Sequence, residues 1–285
     1  MADIAGDVSL GLTYASHQYG NHNRQKLGVW RFSSRPDQKS GHWVVFIHGG
    51  GWRDPRNDEN DFTQSIKRIV MSGAVATLDI AGFISIDYRL SPHPEFPQES
   101  ASAKHPDHLE DIWLALNYVQ DKYGLSDNYI LVGHSAGATL AMQLLMSDGI
   151  FPSHPKGPLP IAIVGVSGIY DLVGLNNRFN GGYAGFIGSA FGEDKSEWEK
   201  ASPAKFDKSF KDQWANGKLV LLAWSHEDGL IDEPEIDNMT TLLAQQGINL
   251  EVNKDLRGEH DYVWQDGSQI ARLVITTLHH LRRVE

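Results

Sequence analysis

The sequence predicts an α/β fold, doubly wound about a mostly parallel sheet. Three observations predict it: short runs that are apolar throughout, amphipathic helical stretches between them, and a serine set between glycines where one run gives way to helix. Runs without polar alternation suit strands buried on both faces, as in a parallel sheet covered by helices. Alternating strand and helix then require right-handed crossovers.

In chain order, the first run is WVVFIH (43–48), and FISIDY (83–88) follows. Behind Asp107, residues Leu109, Ile112, Trp113, Leu116 and Val119 recur at spacings of three and four, the stripe of an amphipathic helix. YILVGH (129–134) leads into ATLAMQLLM (138–146), rich in helix formers. The proline-bearing FPSHPKGPLP (151–160) reads as a loop, too short for a domain linker. IAIVGV (161–166) and LVLLAW (219–224) are further strands, and LEVNK (250–254) is strand-like. Ile270, Leu273, Val274, Leu278 and Leu281 form the stripe of a closing helix.

A single domain over 1–285 is expected, with no internal repeat. The segment from about Asp171 to Trp214 is richer in Gly, Asn, Tyr and Phe and weakly periodic, a candidate cap or lid over the carboxyl edge of the sheet, where such folds place ligands.

Composition narrows the function. With 25 Lys plus Arg against 36 Asp plus Glu, the formal charge of -11 speaks against nucleic acid or an anionic membrane surface as partner. Cysteine is absent, which removes disulfides, thiolate metal sites and a cysteine nucleophile. The opening MADIAGDVSLGLTYASHQYG has neither a basic start nor an apolar block, so no secretory signal is expected. No apolar run approaches the roughly 18 residues of a membrane helix. A soluble, cytoplasmic protein is the expectation.

GHSAG, residues 133–137, is a G-x-S-x-G pattern at a strand-to-helix turn. Such a turn forces the serine into a strained backbone conformation and lifts its hydroxyl above the sheet; glycine at 133 and 137 relieves the crowding. A serine hydroxyl becomes a competent nucleophile only when a base takes its proton and a carboxylate orients that base. The order Ser, Asp, His points downstream of Ser135. Asp228, in the loop after LVLLAW, is preferred to Glu227 and Asp232 because Gly229 permits the turn and Leu230 and Ile231 re-enter the core. Of 13 histidines, His260 lies between LEVNK and the closing helix, the loop from which a base can descend on the serine. His134 is expected to point away from the site. His105 and His108 have H-x-x-H spacing but no third ligand in view, so a helix N-terminus beside Pro106 is preferred to a metal site, and no cofactor is expected.

A tetrahedral intermediate also needs donors for its oxyanion. HGGGW, residues His48, Gly49, Gly50, Gly51 and Trp52, ends a strand with three glycines whose N–H groups a substrate can approach. Gly50, Gly51 and Ala136 are the candidate donors.

Together these elements resemble the α/β-hydrolase fold over nearly the whole chain. HGGGW with YRLSPHPEFP (88–97) is similar to the hormone-sensitive-lipase-like esterases. WVVFIHGGGWRDPRND, GHSAGATLAMQ, VSGIYDL and YAGFIGSAFG followed by ASPAKF resemble the fungal kynurenine formamidases, or arylformamidases. That resemblance implies an H-G-G-x-W motif at His48 to Trp52 and a triad of Ser135, Asp228 and His260. It further implies hydrolysis of N-formyl-L-kynurenine to L-kynurenine and formate, in tryptophan breakdown toward NAD, by a cytosolic, cofactor-free enzyme that can be a homodimer.

A formyl group is small, whereas its leaving group carries an aromatic ring and an amino acid. Trp52, Tyr170, Tyr183, Phe186 and Phe191 are candidate ring contacts, with core or cap packing as the competing assignment. A carboxylesterase on short acyl or aryl esters needs the same machinery. A non-catalytic binding protein of this fold is the alternative of another class.

Overall fold

A computed structural model describes residues 10–35, 40–97, 101–146, 150 and 157–284. The proline-bearing loop expected at 151–160 lies outside them except for its last four residues. The described strands are β1 (Leu12–Gln18), β2 (Lys26–Phe32), β3 (His42–Ile47), β4 (Ile80–Ile86), β5 (Tyr129–His134), β6 (Ala162–Val166), β7 (Leu219–Ser225) and β8 (Leu250–Leu256). They form one eight-stranded sheet in the order β1-β2-β4-β3-β5-β6-β7-β8. β2 pairs antiparallel with both β1 and β4, and the other pairings are parallel.

Every residue of β3, β5, β6 and β7 is buried, because helices cover both faces of this part of the sheet. The side-chain period of two divides β3 between two cores. Trp43, Val45 and Ile47 face one, Val44 and Phe46 the other. The first core holds Leu109, Ile112 and Leu116 of α2 (Asp107–Tyr123) and Leu140 and Leu144 of α3 (Ala136–Leu145). The second holds Ile66 and Ile69 of α1 (Thr63–Met71) and the predicted stripe of the closing helix, Ser268–Val284.

β1 and β2 were not foreseen. β1 lies at the antiparallel end of the sheet and alternates in burial, and β2 is broken by Gly28 and Arg31, so neither reads as an apolar run. The candidate cap region folds into α4 (Leu172–Arg178), α5 (Ala184–Phe191), α6 (Lys195–Ala201) and α7 (Phe210–Gln213), each too short for a helical period to register. Leu172, Leu175, Ile187, Trp198 and Phe210 root these helices in the first core. α8 (Glu233–Gln245) follows β7, α9 (Tyr262–Asp266) follows β8, and the closing helix becomes α10. Among the described residues no helix is long and apolar enough to cross a membrane.

Candidate active site

Ser135 sits between β5 and α3 at φ 53 and ψ -121, a conformation L-residues adopt only under constraint. The constraint is packing of strand on helix. A Cβ on Gly133 would lie 2.3 Å from the Gly137 carbonyl oxygen, and one on Gly137 only 2.1 Å from that of Ile47. The Ser135 N–H donates to Val166 O at 2.9 Å, which pins the turn to the end of β6.

The loops after β7 and β8 bring the other two candidates together. His260 Nδ1 lies 2.8 Å from Asp228 Oδ2, with both side chains nearly buried. Asp228 Oδ1 accepts from the N–H groups of Leu230 and Ile231, 2.9 Å each, so the carboxylate is held at both oxygens. Burial alone would raise the Asp228 carboxyl, but the hydrogen bond and charge of His260 and the two N–H groups outweigh it, and Asp228 titrates below the usual carboxylate range. Among the described residues no hydrogen bond joins the Ser135 hydroxyl to His260. In a substrate-free site that bond is commonly long and tightens when the reacting group arrives.

The rivals are engaged elsewhere. Glu227 accepts from Gly258 N at 2.9 Å, and Asp232 pairs with Arg178 at 2.6 Å. His105 lies against Phe191, and His108 Nε2 meets Ser91 Oγ at 3.0 Å. His134 corrects the sequence reading. Its ring packs 4.6 Å from that of His260, and its Nε2 donates to the His260 carbonyl at 3.1 Å. His134, His260 and Asp261 could offer a cation one ligand atom each within 4.8 Å, and each imidazole has its other nitrogen on an oxygen, the His260 carbonyl for His134 and Asp228 for His260.

HGGGW curls beside the serine through three successive left-handed residues, Gly50 (φ 85), Gly51 (φ 54) and Trp52 (φ 61). Gly49 is the closest approach, since a Cβ there would lie 3.1 Å from Ser135 Cβ. Among the described residues the N–H groups of Gly50, Gly51 and Ala136 have no protein acceptor, which leaves them available to an oxyanion. His48 is fully buried under this loop, its Nδ1 3.0 Å from Gly49 O and its Nε2 3.2 Å from Asp87 Oδ1. Burial opposes a charge on His48, yet its hydrogen bond to Asp87 and the surrounding acids raise its pKa. The sequence reading missed Tyr88, whose ring stacks on His48 at 4.3 Å and whose hydroxyl is 3.1 Å from both the His48 and Gly49 carbonyls. In a planar trans peptide the N–H points opposite its C=O, so fixing the Gly49 carbonyl fixes the direction of Gly50 N–H.

Of the candidate aromatics, Tyr183 and Phe186 are partly exposed, whereas Trp52 is fully buried and Phe191 nearly so; contrary to the sequence reading, those two pack beneath the surface and do not face a substrate. Phe186 stacks on Trp52 at 6.1 Å, Phe191 meets Trp52 edge-on at 4.9 Å, and Tyr183 lies 5.1 Å from Phe186. Phe186 is also the side chain nearest Gly51, 3.4 Å from a Cβ placed there. The Tyr183 hydroxyl donates to Leu230 O at 2.7 Å and ties α5 to the Asp228 loop. Tyr170 is a core residue instead. It is buried with its hydroxyl 2.3 Å from a Cβ placed on Gly165, in the middle of β6.

Residues 32–209 match the BD-FAE family. Over 244 residues the chain is 36% identical to a kynurenine formamidase of Aspergillus versicolor, covering 78% of this chain and 84% of the relative. It is 34% identical to a kynurenine formamidase-like hydrolase of Fusarium equiseti and 32% identical to a kynurenine formamidase of Meyerozyma guilliermondii, with 90% of both partners covered in each case. Among solved structures, esterase B of Lactobacillus rhamnosis superposes with a TM-score of 0.72 at 16% identity, over 96% of this chain and 87% of that one. An esterase/lipase from an uncultured bacterium gives 0.69 at 16% identity, over 96% and 85%. At such identities these two structures speak to the fold alone.

Proposed function

The chain belongs to the kynurenine formamidase family of α/β-hydrolases, and from that premise we propose that it hydrolyses N-formyl-L-kynurenine to L-kynurenine and formate. The observation that carries the proposal is the Asp228–His260 pair, 2.8 Å long, with His260 packed on His134, the residue before a serine strained at φ 53, in a chain that matches such a relative over 90% of both lengths. In the proposed reaction His260 takes the Ser135 proton as the hydroxyl oxygen attacks the formyl carbon, and Asp228 stabilises the imidazolium. The N–H groups of Gly50, Gly51 and Ala136 receive the oxyanion. His260 then protonates the departing arylamine, which leaves a formyl ester on Ser135. Water, deprotonated by His260, releases formate and restores the serine.

A small acyl group fits the close packing of the glycine loop on the serine turn, where a Cβ placed on Gly49 would lie 3.1 Å from Ser135 Cβ. The partly exposed rings of Phe186 and Tyr183, backed by the buried Trp52 and Phe191, suit an aromatic leaving group. Specificity constants on a formyl arylamine and on its acetyl analogue test this assignment. One added methyl in a tight site should lower the constant by at least ~10-fold. Equal constants, or cleavage of aryl acetates with no cleavage of the formamide, would support a carboxylesterase instead.

A further inference from the structure

Arg53 follows the strained Trp52 directly and carries its guanidinium over the face of Phe186, 5.9 Å from the ring centroid. It is half-buried, and among the described residues its side chain makes neither a hydrogen bond nor an ion pair. Arg24, Arg56, Arg68, Arg89 and Arg178, by contrast, each hold a carboxylate within 3.2 Å. The nearest acid in sequence, Asp54, is spent on Arg56 through both its oxygens. Burial lowers the Arg53 pKa below its ordinary value, with Asp54 and Glu95 opposing the shift. Arg53 is therefore a partly desolvated planar fork with unspent donors, on an aromatic platform at the edge of the oxyanion loop. Such a group is matched in shape and charge to a carboxylate.

We propose that Arg53 receives the carboxylate on the leaving-group side of the substrate, with Phe186 against the substrate's aryl ring. The inference rests on the formamidase reading, in which the substrate carries a formamide at one end, an aryl ring in the middle and an α-carboxylate at the other. Neighbouring groups of the chain run in a matching order: Gly49 packs on Ser135, Phe186 packs on Gly51 two residues along the loop, and Arg53 lies over Phe186. Arg53 is thus a specificity residue that separates an amino-acid formamide from a neutral one.

Calorimetric titration of L-kynurenine and of its carboxamide, which keeps the shape and loses the charge, tests this without any turnover. The protein should bind the carboxylate form at least ~10-fold more tightly, as charge-assisted bidentate hydrogen bonds commonly provide. Arg53→Met should bring the two affinities to within about 2-fold, and Arg53→Lys should fall between. Arg56→Met, which alters a neighbouring cation already paired with Asp54, should keep the full ratio. Circular dichroism and the unfolding temperature establish that each variant folds. Equal binding of the two ligands, binding of neither, or retained discrimination in folded Arg53→Met would overturn the proposal. Cleavage of N-formyl-L-kynurenine by the same preparation is scored separately. If cleavage occurs without carboxylate discrimination, only the role of Arg53 fails; if cleavage itself is missing, the formamidase reading fails.

Discussion

The imidazole of His134 donates from Nε2 to the backbone carbonyl of His260 at 3.1 Å, and the two rings lie 4.6 Å apart. The residue preceding the proposed nucleophile therefore supports the proposed base. Burial, reinforced by the nearby His260, pushes the His134 pKa down to about 3, so this imidazole stays neutral at working pH and serves as a fixed donor. His134→Ala should lower kcat by about 10- to 100-fold with little change in KM, the scale of loss expected when a catalytic group is displaced by about an ångström. His134→Gln, which can place an N–H near the same carbonyl, should recover part of the loss. A rise in KM at constant kcat would instead assign His134 to substrate binding.

Tyr88 makes a comparable prediction for the oxyanion loop. Tyr88→Phe keeps the stack on His48 and deletes the hydroxyl that meets the His48 and Gly49 carbonyls. Because Gly50 N–H is aimed through the peptide that Tyr88 holds, kcat should fall by about 10-fold or more, short of the ~100- to 1000-fold typical of removing a donor outright. Unchanged kcat in a folded Tyr88→Phe variant would show that the loop keeps its geometry without this anchor.

Asp61 sets a pH dependence of stability. It is buried near His48, its Oδ2 accepts from Asn57 Nδ2 at 2.7 Å, and burial raises its pKa to about 7 despite the opposing effects of His48 and Asn57. In the unfolded chain an aspartate titrates near ~4, so between about pH 4 and 7 the folded state holds a proton that the unfolded state has lost. The stability contributed by that proton is complete below the unfolded pKa and declines as pH rises, the loss being complete above about 7. The raised pKa of His48 adds a loss of the same sign. Asp61→Asn should accordingly gain in unfolding temperature relative to the parent protein as pH goes from 5 to 8. A constant difference across that range would contradict a shifted Asp61.

Gly137 tests the elbow. A methyl group at this position would stand 2.1 Å from the Ile47 carbonyl oxygen, a backbone atom that cannot swing aside. Gly137→Ala should cost about 1–3 kcal/mol through overpacking, lowering the unfolding temperature by several degrees, with a loss of turnover as Ser135 moves. Parent-like stability and activity would mean that α3 can shift off β3 without penalty.

Much of this was legible in the sequence because the buried strands advertise themselves. YILVGH is β5 from end to end, and the run at 219–224 misses only Ser225 of β7. Asp228 is the acid that meets His260, as expected, although of the two residues invoked to choose it only Ile231 re-enters the core, Leu230 being exposed. The illegible parts depend on distance in the chain or on mixed environments. The partner of His134 lies 126 residues away, and the carbonyls fixed by Tyr88 lie 39 and 40 residues away, separations no local pattern encodes. β1, alternating in burial at an antiparallel end of the sheet, lacks the continuous apolar signal of a strand covered on both sides. Aromatic type alone marks Tyr170 as a candidate ring contact, whereas glycines at 165 and 168 make room for it in the core.

The central claim, that Ser135 attacks a formamide with His260 as its base, is tested most directly by following kynurenine release from N-formyl-L-kynurenine, with Ser135→Ala alongside. The account predicts efficient cleavage by the parent protein and a loss of about 10³- to 10⁶-fold in the variant, as when a triad nucleophile is removed. Turnover that survives in a folded Ser135→Ala protein would contradict it, as would a parent protein that cleaves short aryl esters and leaves the formamide intact.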